Sequence, residues 1–199
     1  MHVTIFDYGA GNLHSLAKAL ALPDVQLRVD DDPAHAVVDT DVLVLPGVGA
    51  FGAAAARLAP GLQDMRDAVR DGLPCLGICL GMQLFFDGSD EGTGIGLGVI
   101  AGRVRRLQAR RIPHIGWNAI DDAGDPLLRT SALQTAYYAN SYICQPSDAA
   151  AIRAWTTHER DRFPALVRAH RAVGVQFHPE KSSAPGVAFV HAFLQEARS

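Results

Sequence analysis

The chain has 199 residues, of which 48% are hydrophobic and 20% charged, with a formal net charge of −3. This length and composition predict one soluble domain over residues 1–199, with a core of full size. The small negative charge gives no electrostatic reason to expect binding to nucleic acid or to an anionic membrane surface. The longest apolar stretch is too short to cross a bilayer, which takes about 20 residues.

The cysteines and the N-terminal segment give information on the cellular location of the protein. Three cysteines in no framework spacing favour reduced thiols, and Cys75 and Cys144 fit buried core positions. The N-terminal segment lacks the basic start of a signal peptide and carries an early acidic residue, Asp7. We therefore expect a cytoplasmic protein.

The first half of the chain alternates between predicted strands and predicted helices. Strands are predicted at 2–8, 25–31, 41–46 and 73–78, and helices at 11–22, 50–72 and 80–86. Pro60 and Gly61 are expected to kink or break the helix at 50–72. Continuous apolar strands between helices are typical of a parallel sheet that is covered on both faces.

After Gly96 the elements become shorter strands, followed by one C-terminal helix. Strands are predicted at 113–120, 135–144, 152–159, 164–170 and 172–178, and the helix at 186–197. Together the two halves predict an α/β fold with a mostly parallel sheet and helices on both faces.

The segment "GICLG" places Cys79 at a predicted turn from strand to helix. This G-x-C-x-G pattern is that of a nucleophile elbow with cysteine in the position of serine. Gly77 and Gly81 would let chain segments pack closely around a strained residue. The helix start favours the thiolate, and the backbone N–H of Leu80 would point at an oxyanion. The motif alone leaves a second interpretation open, in which Cys79 is a buried structural cysteine.

A thiolate nucleophile needs a base, and "VGVQFHPEKSS" offers His178 and Glu180. In an extended chain, side chains two residues apart share a side, and Pro179 stiffens the backbone between them. The carboxylate can then orient the imidazole, which can take the thiol proton. Adjacent parallel strands would bring the C-terminal ends that carry His178 and Cys79 together. A surface histidine is the alternative, and the presence of both motifs favours catalysis.

The glycines of "LPGVGAFG", at Gly47, Gly49 and Gly52, match the dinucleotide pattern G-x-G-x-x-G. That interpretation is disfavoured, because the acidic residue at the required distance, Asp71, precedes the next strand instead of following it. The segment is better explained as a flexible backbone around Val48 that presents N–H groups to a developing negative charge.

Five segments together carry a family resemblance: "DYGAGN", "PGVGAFG", "GICLGMQL", "PHIGWN" and "GVQFHPEKS". Over essentially its whole length the chain resembles the class I (triad) glutamine amidotransferases, which have a flavodoxin-like fold. Within that class, "DYGAGN" and "HIGWN" are similar to the glutaminase subunits of imidazole glycerol phosphate synthases, enzymes of histidine biosynthesis.

The resemblance implies a reaction and a substrate site. Cys79 would attack the side-chain amide of L-glutamine, His178 would move protons and Glu180 would orient His178, with no cofactor and no metal. An oxyanion hole would be formed at Val48, Gly49 and Leu80. The substrate would be held by Gly47, Gly49 and Gln83, and by the backbone of Ser141 and Tyr142.

The resemblance also implies a partner. Ammonia would pass to a separate (β/α)8 cyclase subunit, in a heterodimer that makes imidazole glycerol phosphate and AICAR. The expected interface residues are Asn12, Trp117, Asn118 and Lys181. Lys181 is one of only two lysines among 18 basic residues, which suggests a need for a compact ammonium. A chance surface lysine is the alternative.

The chain departs from the family at Asn140, where members usually carry a histidine. Asparagine forms hydrogen bonds but does not titrate near neutral pH, so only a role that needs charge should change. The basic stretch "RVRRLQARR" is interpreted as a solvated strand and loop in preference to a phosphate or partner site.

Three other functions remain as alternatives at this point. They are a non-catalytic scaffold, a stand-alone hydrolase of γ-glutamyl compounds, and a paralogue that serves anthranilate, GMP or nonulosonate-type sugar synthesis.

Overall fold

Three β-sheets organise the fold, described in a computed structural model over residues 1–9 and 13–199. The strands are β1 (His2–Phe6), β2 (Gln26–Asp30), β3 (Val42–Leu45), β4 (Cys75–Ile78), β5 (Gly88–Ser89), β6 (Gly102–Arg106), β7 (His114–Ala119), β8 (Thr135–Asn140), β9 (Tyr142–Pro146), β10 (Ile152–His158), β11 (Asp161–Ala169) and β12 (Ala172–Val175). Asn12, one of the expected interface residues, lies outside the described residues.

The main sheet has seven strands in the order β10-β11-β12-β4-β3-β1-β2. The five strands from β12 to β2 pair in parallel, and β10 and β11 extend the sheet in antiparallel fashion. This arrangement confirms the predicted mostly parallel α/β sheet. It also sets β12 directly beside β4, although the two strands lie far apart in the sequence.

Helices cover both faces of this sheet. They are α1 (His14–Leu20), α2 (Phe51–Leu58), α3 (Leu62–Arg70), α4 (Leu80–Gln83), α5 (Pro126–Ser131) and α6 (Ser183–Glu196). A 3₁₀ turn at Ala59–Gly61 separates α2 from α3, which confirms the interruption expected at Pro60.

Alternate residues of the central strands point into two apolar layers. On β3, Val42 and Val44 pack in the layer that α1, α5 and α6 cover, whereas Leu43 and Leu45 pack in the layer of α2, α3 and α4. Both sets are fully buried because the sheet is covered on both sides. This burial explains why the strand reads as an unbroken apolar run.

Two predictions about the second half of the chain were wrong. The strand expected at 135–144 is two strands: β8 pairs with β7 in a two-stranded sheet, whereas β9 pairs with β6 in another. Periodicity could not reveal that the pairing partner changes at Ser141. The sequence interpretation also missed α5, which begins with a recognisable cap in which Asp125 accepts the N–H of Leu127 at 2.9 Å.

None of the helices within the described part of the chain is both long enough and apolar enough to span a membrane.

Candidate active site

Cys79 occupies a strained turn between β4 and α4. Its φ of 47° and ψ of −101° lie in a region that residues other than glycine rarely adopt, at a cost of about 1–3 kcal/mol. A Cβ at Gly81 would lie 2.0 Å from the carbonyl oxygen of Leu45, and one at Gly77 would lie 2.7 Å from the carbonyl carbon of Gly81. Both flanking glycines are therefore required because neighbouring backbone fills the space of a side chain.

His178 reaches this turn from the neighbouring strand. Because β12 pairs in parallel with β4, Val175 lies opposite Ile78, and both strands end at the same edge. The N–H of Cys79 donates to the carbonyl of Val175 at 2.7 Å, which ties the two strand ends together. The imidazole of His178 is 1% exposed.

Glu180 is positioned to orient the imidazole. Its Oε1 lies 2.8 Å from Nδ1 of His178, across the 3₁₀ turn Pro179–Lys181. The arrangement leaves Nε2 as the ring nitrogen available for the thiol and for a substrate.

The protonation of His178 follows from its neighbours. Burial by itself lowers the pKa of His178, but hydrogen bonds with Cys79 and with Glu180 outweigh it and raise the pKa to about 9. The histidine is therefore an imidazolium at neutral pH, in hydrogen-bond contact with the sulfur of Cys79.

A serine fixes the backbone of the histidine to β8. The hydroxyl of Ser182 donates to the carbonyl of His178 at 2.6 Å and accepts the N–H of Tyr137 at 2.9 Å. The N–H of His178 in turn donates to the carbonyl of Tyr137 at 2.8 Å. Sequence reasoning missed this link because it joins three segments that only the fold brings together.

A cavity of about 240 Å³ opens above the cysteine. Residues from five segments line it: Gly47, Val48, Gly49, Cys79, Leu80, Gln83, Glu91, Ala139, Asn140, Ser141, Tyr142, His178 and Lys181. The structure thus brings Cys79, His178 and the expected oxyanion and substrate-binding residues to one cavity, with Glu180 hydrogen-bonded to His178 outside the lining.

The glycine loop after β3 forms one wall of this cavity. A Cβ at Gly47 would lie 2.8 Å from Cε1 of His178, so a side chain there would displace the imidazole. Gly49 has a φ of +130°, a conformation that residues with a side chain rarely adopt. The loop faces His178, which suits an oxyanion site and not a dinucleotide site.

The opposite wall is built on the carbonyl of Tyr142. Nε2 of Gln83 donates to this oxygen at 3.2 Å, and Nδ2 of Asn140 donates to it at 3.1 Å. Both donors are buried, and Oδ1 of Asn140 has no hydrogen-bond partner among residues 1–9 and 13–199. Gln83 therefore holds the wall while its side chain lines the cavity.

Glu91 and Gln176 are site residues that sequence reasoning missed. Glu91 lines the cavity, and its Oε2 accepts the N–H of Phe51 at 2.8 Å, at the start of α2. Gln176 is fully buried, and its Nε2 lies 3.5 Å from Sγ of Cys79. Neither belongs to a spacing pattern, although Gln176 stands only two residues before His178 in the sequence.

The expected interface residues differ in their surroundings. Trp117 is 55% exposed on β7, and Lys181 is exposed at the cavity. The amide of Asn118 instead donates to the carbonyl of Thr157 at 2.8 Å, which ties β7 to β10. Ile115, 64% exposed on the same side of β7 as Trp117, is a further apolar residue of this surface.

Three further residues from the sequence analysis, Arg105, Cys75 and Cys144, have surroundings that indicate a structural role. Arg105 in the basic stretch pairs with Asp161 at 2.7 Å. Burial would raise the pKa of Asp161, but the hydrogen bond from Arg105 is among the contacts that hold it below its usual range. Burial raises the pKa values of the Cys75 and Cys144 thiols, so these two cysteines are poor nucleophiles.

The fold and the site define a class of protein. The sequence model of the glutamine amidotransferase class-I family matches residues 4–196, and the chain belongs to that family. A crystal structure of a glutamine amidotransferase superimposes with a TM-score of 0.74 at 17% identity, covering 99% of both chains. A structure of PurLQS from Thermotoga maritima gives 0.72 at 16% identity, covering 98% of both chains. At these identities the likeness concerns the fold alone.

Relatives with higher sequence identity define the family of this chain more narrowly. Imidazole glycerol phosphate synthase subunit HisH of Acaryochloris marina is 39% identical, over 99% of this chain and 95% of the relative. The subunit of the same name from Gloeobacter violaceus is 40% identical, over 100% of this chain and 91% of the relative. Within the class I amidotransferases, the chain belongs to the HisH family.

Proposed function

We propose that this chain is the glutaminase subunit of an imidazole glycerol phosphate synthase and that Cys79, His178 and Glu180 are its catalytic triad. The observation that carries the assignment of the triad is the strained Cys79 beside a buried His178–Glu180 pair at one cavity. Membership of the HisH family supports the place in histidine biosynthesis.

The first half of the reaction makes an acyl-enzyme. The Cys79 thiolate attacks the side-chain carbonyl carbon of glutamine, and the N–H of Leu80 and the loop at Val48 and Gly49 stabilise the oxyanion. His178 donates its proton to the departing nitrogen, so ammonia leaves and a γ-glutamyl thioester remains.

The second half restores the enzyme. His178, now neutral, takes a proton from water, and the resulting hydroxide attacks the thioester carbonyl. The C–S bond breaks, its electron pair returns to sulfur, and glutamate is released. Glu180 keeps the imidazole oriented through both proton transfers.

The cavity suits an amino acid substrate. Glu91 places a carboxylate on the wall, where it can pair with the substrate's α-ammonium group. Gly47, Gly49 and Gln83, with the backbone of Ser141 and Tyr142, would fix the rest of glutamine. This geometry favours glutamine over substrates that lack the α-amino group.

A cyclase subunit is the proposed partner, in a heterodimer. Trp117 and Ile115 form an exposed apolar patch on the two-stranded sheet, and Ala139, which pairs with Ile115, lines the cavity. A partner on this face would cover the cavity mouth and receive ammonia without loss to water. Aromatic and apolar residues next to polar rims are typical of protein interfaces.

The test replaces Cys79 with Ala. The Cys79→Ala complex should lose glutamine-dependent synthesis of imidazole glycerol phosphate and keep ammonium-dependent synthesis, because only the supply of ammonia is removed. Glutaminase activity above a trace in this variant would contradict the assignment of the nucleophile. Loss of the ammonium-dependent reaction as well would point to a misassembled complex, which sedimentation would show.

A further inference from the structure

The buried side-chain amide of Gln176 lies next to the sulfur of Cys79. Gln176 is the first residue after β12, and its Nε2 lies 3.5 Å from Sγ of Cys79. The residue has no exposed surface, and its backbone N–H donates to the carbonyl of Ala165 on β11 at 3.0 Å. The strand therefore fixes the position of the amide relative to the sulfur.

The surroundings of Gln176 give the amide no structural task. Its Oε1 has no hydrogen-bond partner anywhere in residues 1–9 and 13–199, and its one side-chain hydrogen bond is to Sγ of Cys79. A buried, half-satisfied amide destabilises a protein relative to an apolar side chain of similar size. Its presence at the end of an otherwise apolar strand therefore indicates a function at the sulfur.

We propose that Gln176 is an N–H donor to the Cys79 thiolate, a further catalytic residue of the glutaminase reaction proposed above. A thiolate accepts such a bond strongly, whereas a neutral thiol or thioester sulfur accepts it weakly. The amide does not titrate, so its effect adds to that of the imidazolium of His178 and persists after the imidazolium has given up its proton.

The donor also acts in the second half of the reaction. When the tetrahedral adduct of water collapses, the C–S bond breaks and its electron pair returns to sulfur. His178 keeps the proton that it took from water and is again an imidazolium, and the Gln176 N–H is a second donor to the charge that develops on sulfur. A donor in this position lowers the barrier to thiolate departure.

The experiment measures the pH dependence of Cys79 alkylation by iodoacetamide in the intact chain, followed by mass spectrometry. Cys75 and Cys144 should react slowly, because burial raises the pKa values of their thiols and neither lines the cavity. Gln176→Met removes the donor at similar length, and Gln176→Asn keeps the amide but shortens its reach. We expect the midpoint of alkylation to move upward by about one pH unit in the Met variant, and by less in the Asn variant.

A second readout uses the unaltered protein. The side-chain amide resonances of Gln176 should shift over the same pH range in which Cys79 becomes reactive, and this shift should vanish in Cys79→Ala. This measurement keeps the proposal testable if either Gln176 variant fails to fold. Unchanged alkylation midpoints in folded variants, or resonances insensitive to Cys79, would overturn the proposal.

The outcome is separable from the proposed function, because alkylation requires no glutamine turnover. An unchanged midpoint together with an inactive Cys79→Ala variant would remove the role of Gln176 and leave the glutaminase assignment in place. A shifted alkylation midpoint together with an active Cys79→Ala variant would support the role of Gln176 and remove the glutaminase assignment of Cys79.

Discussion

At the scale of single residues, the site depends on how burial and charge act on a few polar groups. His178 is almost completely buried, which alone would favour the neutral ring, yet its contacts with Cys79 and Glu180 reverse that preference. His178 is therefore an imidazolium before substrate arrives. This order of effects leads to a prediction about pH.

Glutaminase turnover should fall as pH rises through about 9, the pKa of His178. A group whose pKa is raised in the folded protein keeps its proton below that value, and His178 needs the proton to release ammonia. Alkylation of Cys79, which needs only the thiolate, should not fall over the same range. Steady-state rates of glutamate release and of Cys79 alkylation, measured from pH 6 to 10, check both expectations. A parallel decline of the two rates would contradict the role of His178 as the proton donor.

Asn140 stands where the family resemblance leads us to expect a histidine. Its amide donates to the carbonyl of Tyr142 and shares that oxygen with Gln83. Asn140→Ala should raise the KM for glutamine by roughly threefold to tenfold, the effect of one lost hydrogen bond, with a smaller change in kcat. Asn140→His, which introduces the residue that the family resemblance implies, should retain activity and serves as the control. A large fall in kcat alone in Asn140→Ala would contradict a role in shaping the wall.

At the scale of elements, two short loops at the ends of neighbouring strands form the reacting site. The turn after β4 is rigid because Gly77 and Gly81 pack against backbone. The Gly47–Gly49 loop after β3 is different, since Val48 and Gly49 are exposed and Gly49 has a positive φ. The loop can therefore change the orientation of a peptide group at low cost.

This loop should control the rate. We expect the isolated chain to be a poor glutaminase, since loss of one oxyanion donor costs about 10²–10³ in rate. The cyclase with its bound nucleotide should raise kcat strongly by fixing the loop. Gly49→Ala, whose side chain would resist the φ of +130° and approach Leu80 at 3.2 Å, should blunt the stimulation. Equal kcat for the free chain, the complex and the nucleotide-bound complex would show that the loop is already set.

At the scale of the whole molecule, the cavity and the apolar patch lie side by side. Ala139 on β8 lines the cavity, and its partner on β7, Ile115, is exposed beside Trp117. His178 is also hydrogen-bonded to β8 through Tyr137. A subunit docked on the two-stranded sheet would thus lie one strand away from the catalytic histidine.

Lys181 should guide ammonia or hold the cyclase partner at the mouth of the cavity. Lys181→Ala should weaken the complex, or raise the ratio of glutamate formed to imidazole glycerol phosphate formed, because the lysine is expected to meet a carboxylate of the cyclase. Lys181→Arg keeps the charge but not the compact ammonium and should give a partial effect. Lys18→Ala, at the other lysine, exposed on α1, is the matched control. Unchanged affinity and an unchanged product ratio would remove this role.

The local motifs predicted two parts of the candidate site, the turn at Cys79 and the histidine–carboxylate pair. "GICLG" identified the elbow because a strained turn between strand and helix needs glycine on both sides, and this need is readable within five residues. "FHPE" identified the histidine–carboxylate pair, but the geometric reason was wrong: the two side chains meet across the 3₁₀ turn Pro179–Lys181 and not along extended backbone. The continuous apolar strands likewise predicted burial on both faces, and the two apolar layers confirm it.

The tertiary structure decided which parts meet. Strand order is a non-local property, and no spacing in the sequence states that β12 pairs with β4, so the approach of His178 to Cys79 had to be assumed. Glu91, Ser182 and Gln176 could not be found from their neighbours, because each acts on a residue that is distant along the chain or belongs to another element. The change of pairing at Ser141 has the same cause: a single apolar run can serve two sheets, and only the packing of the whole chain determines where it divides.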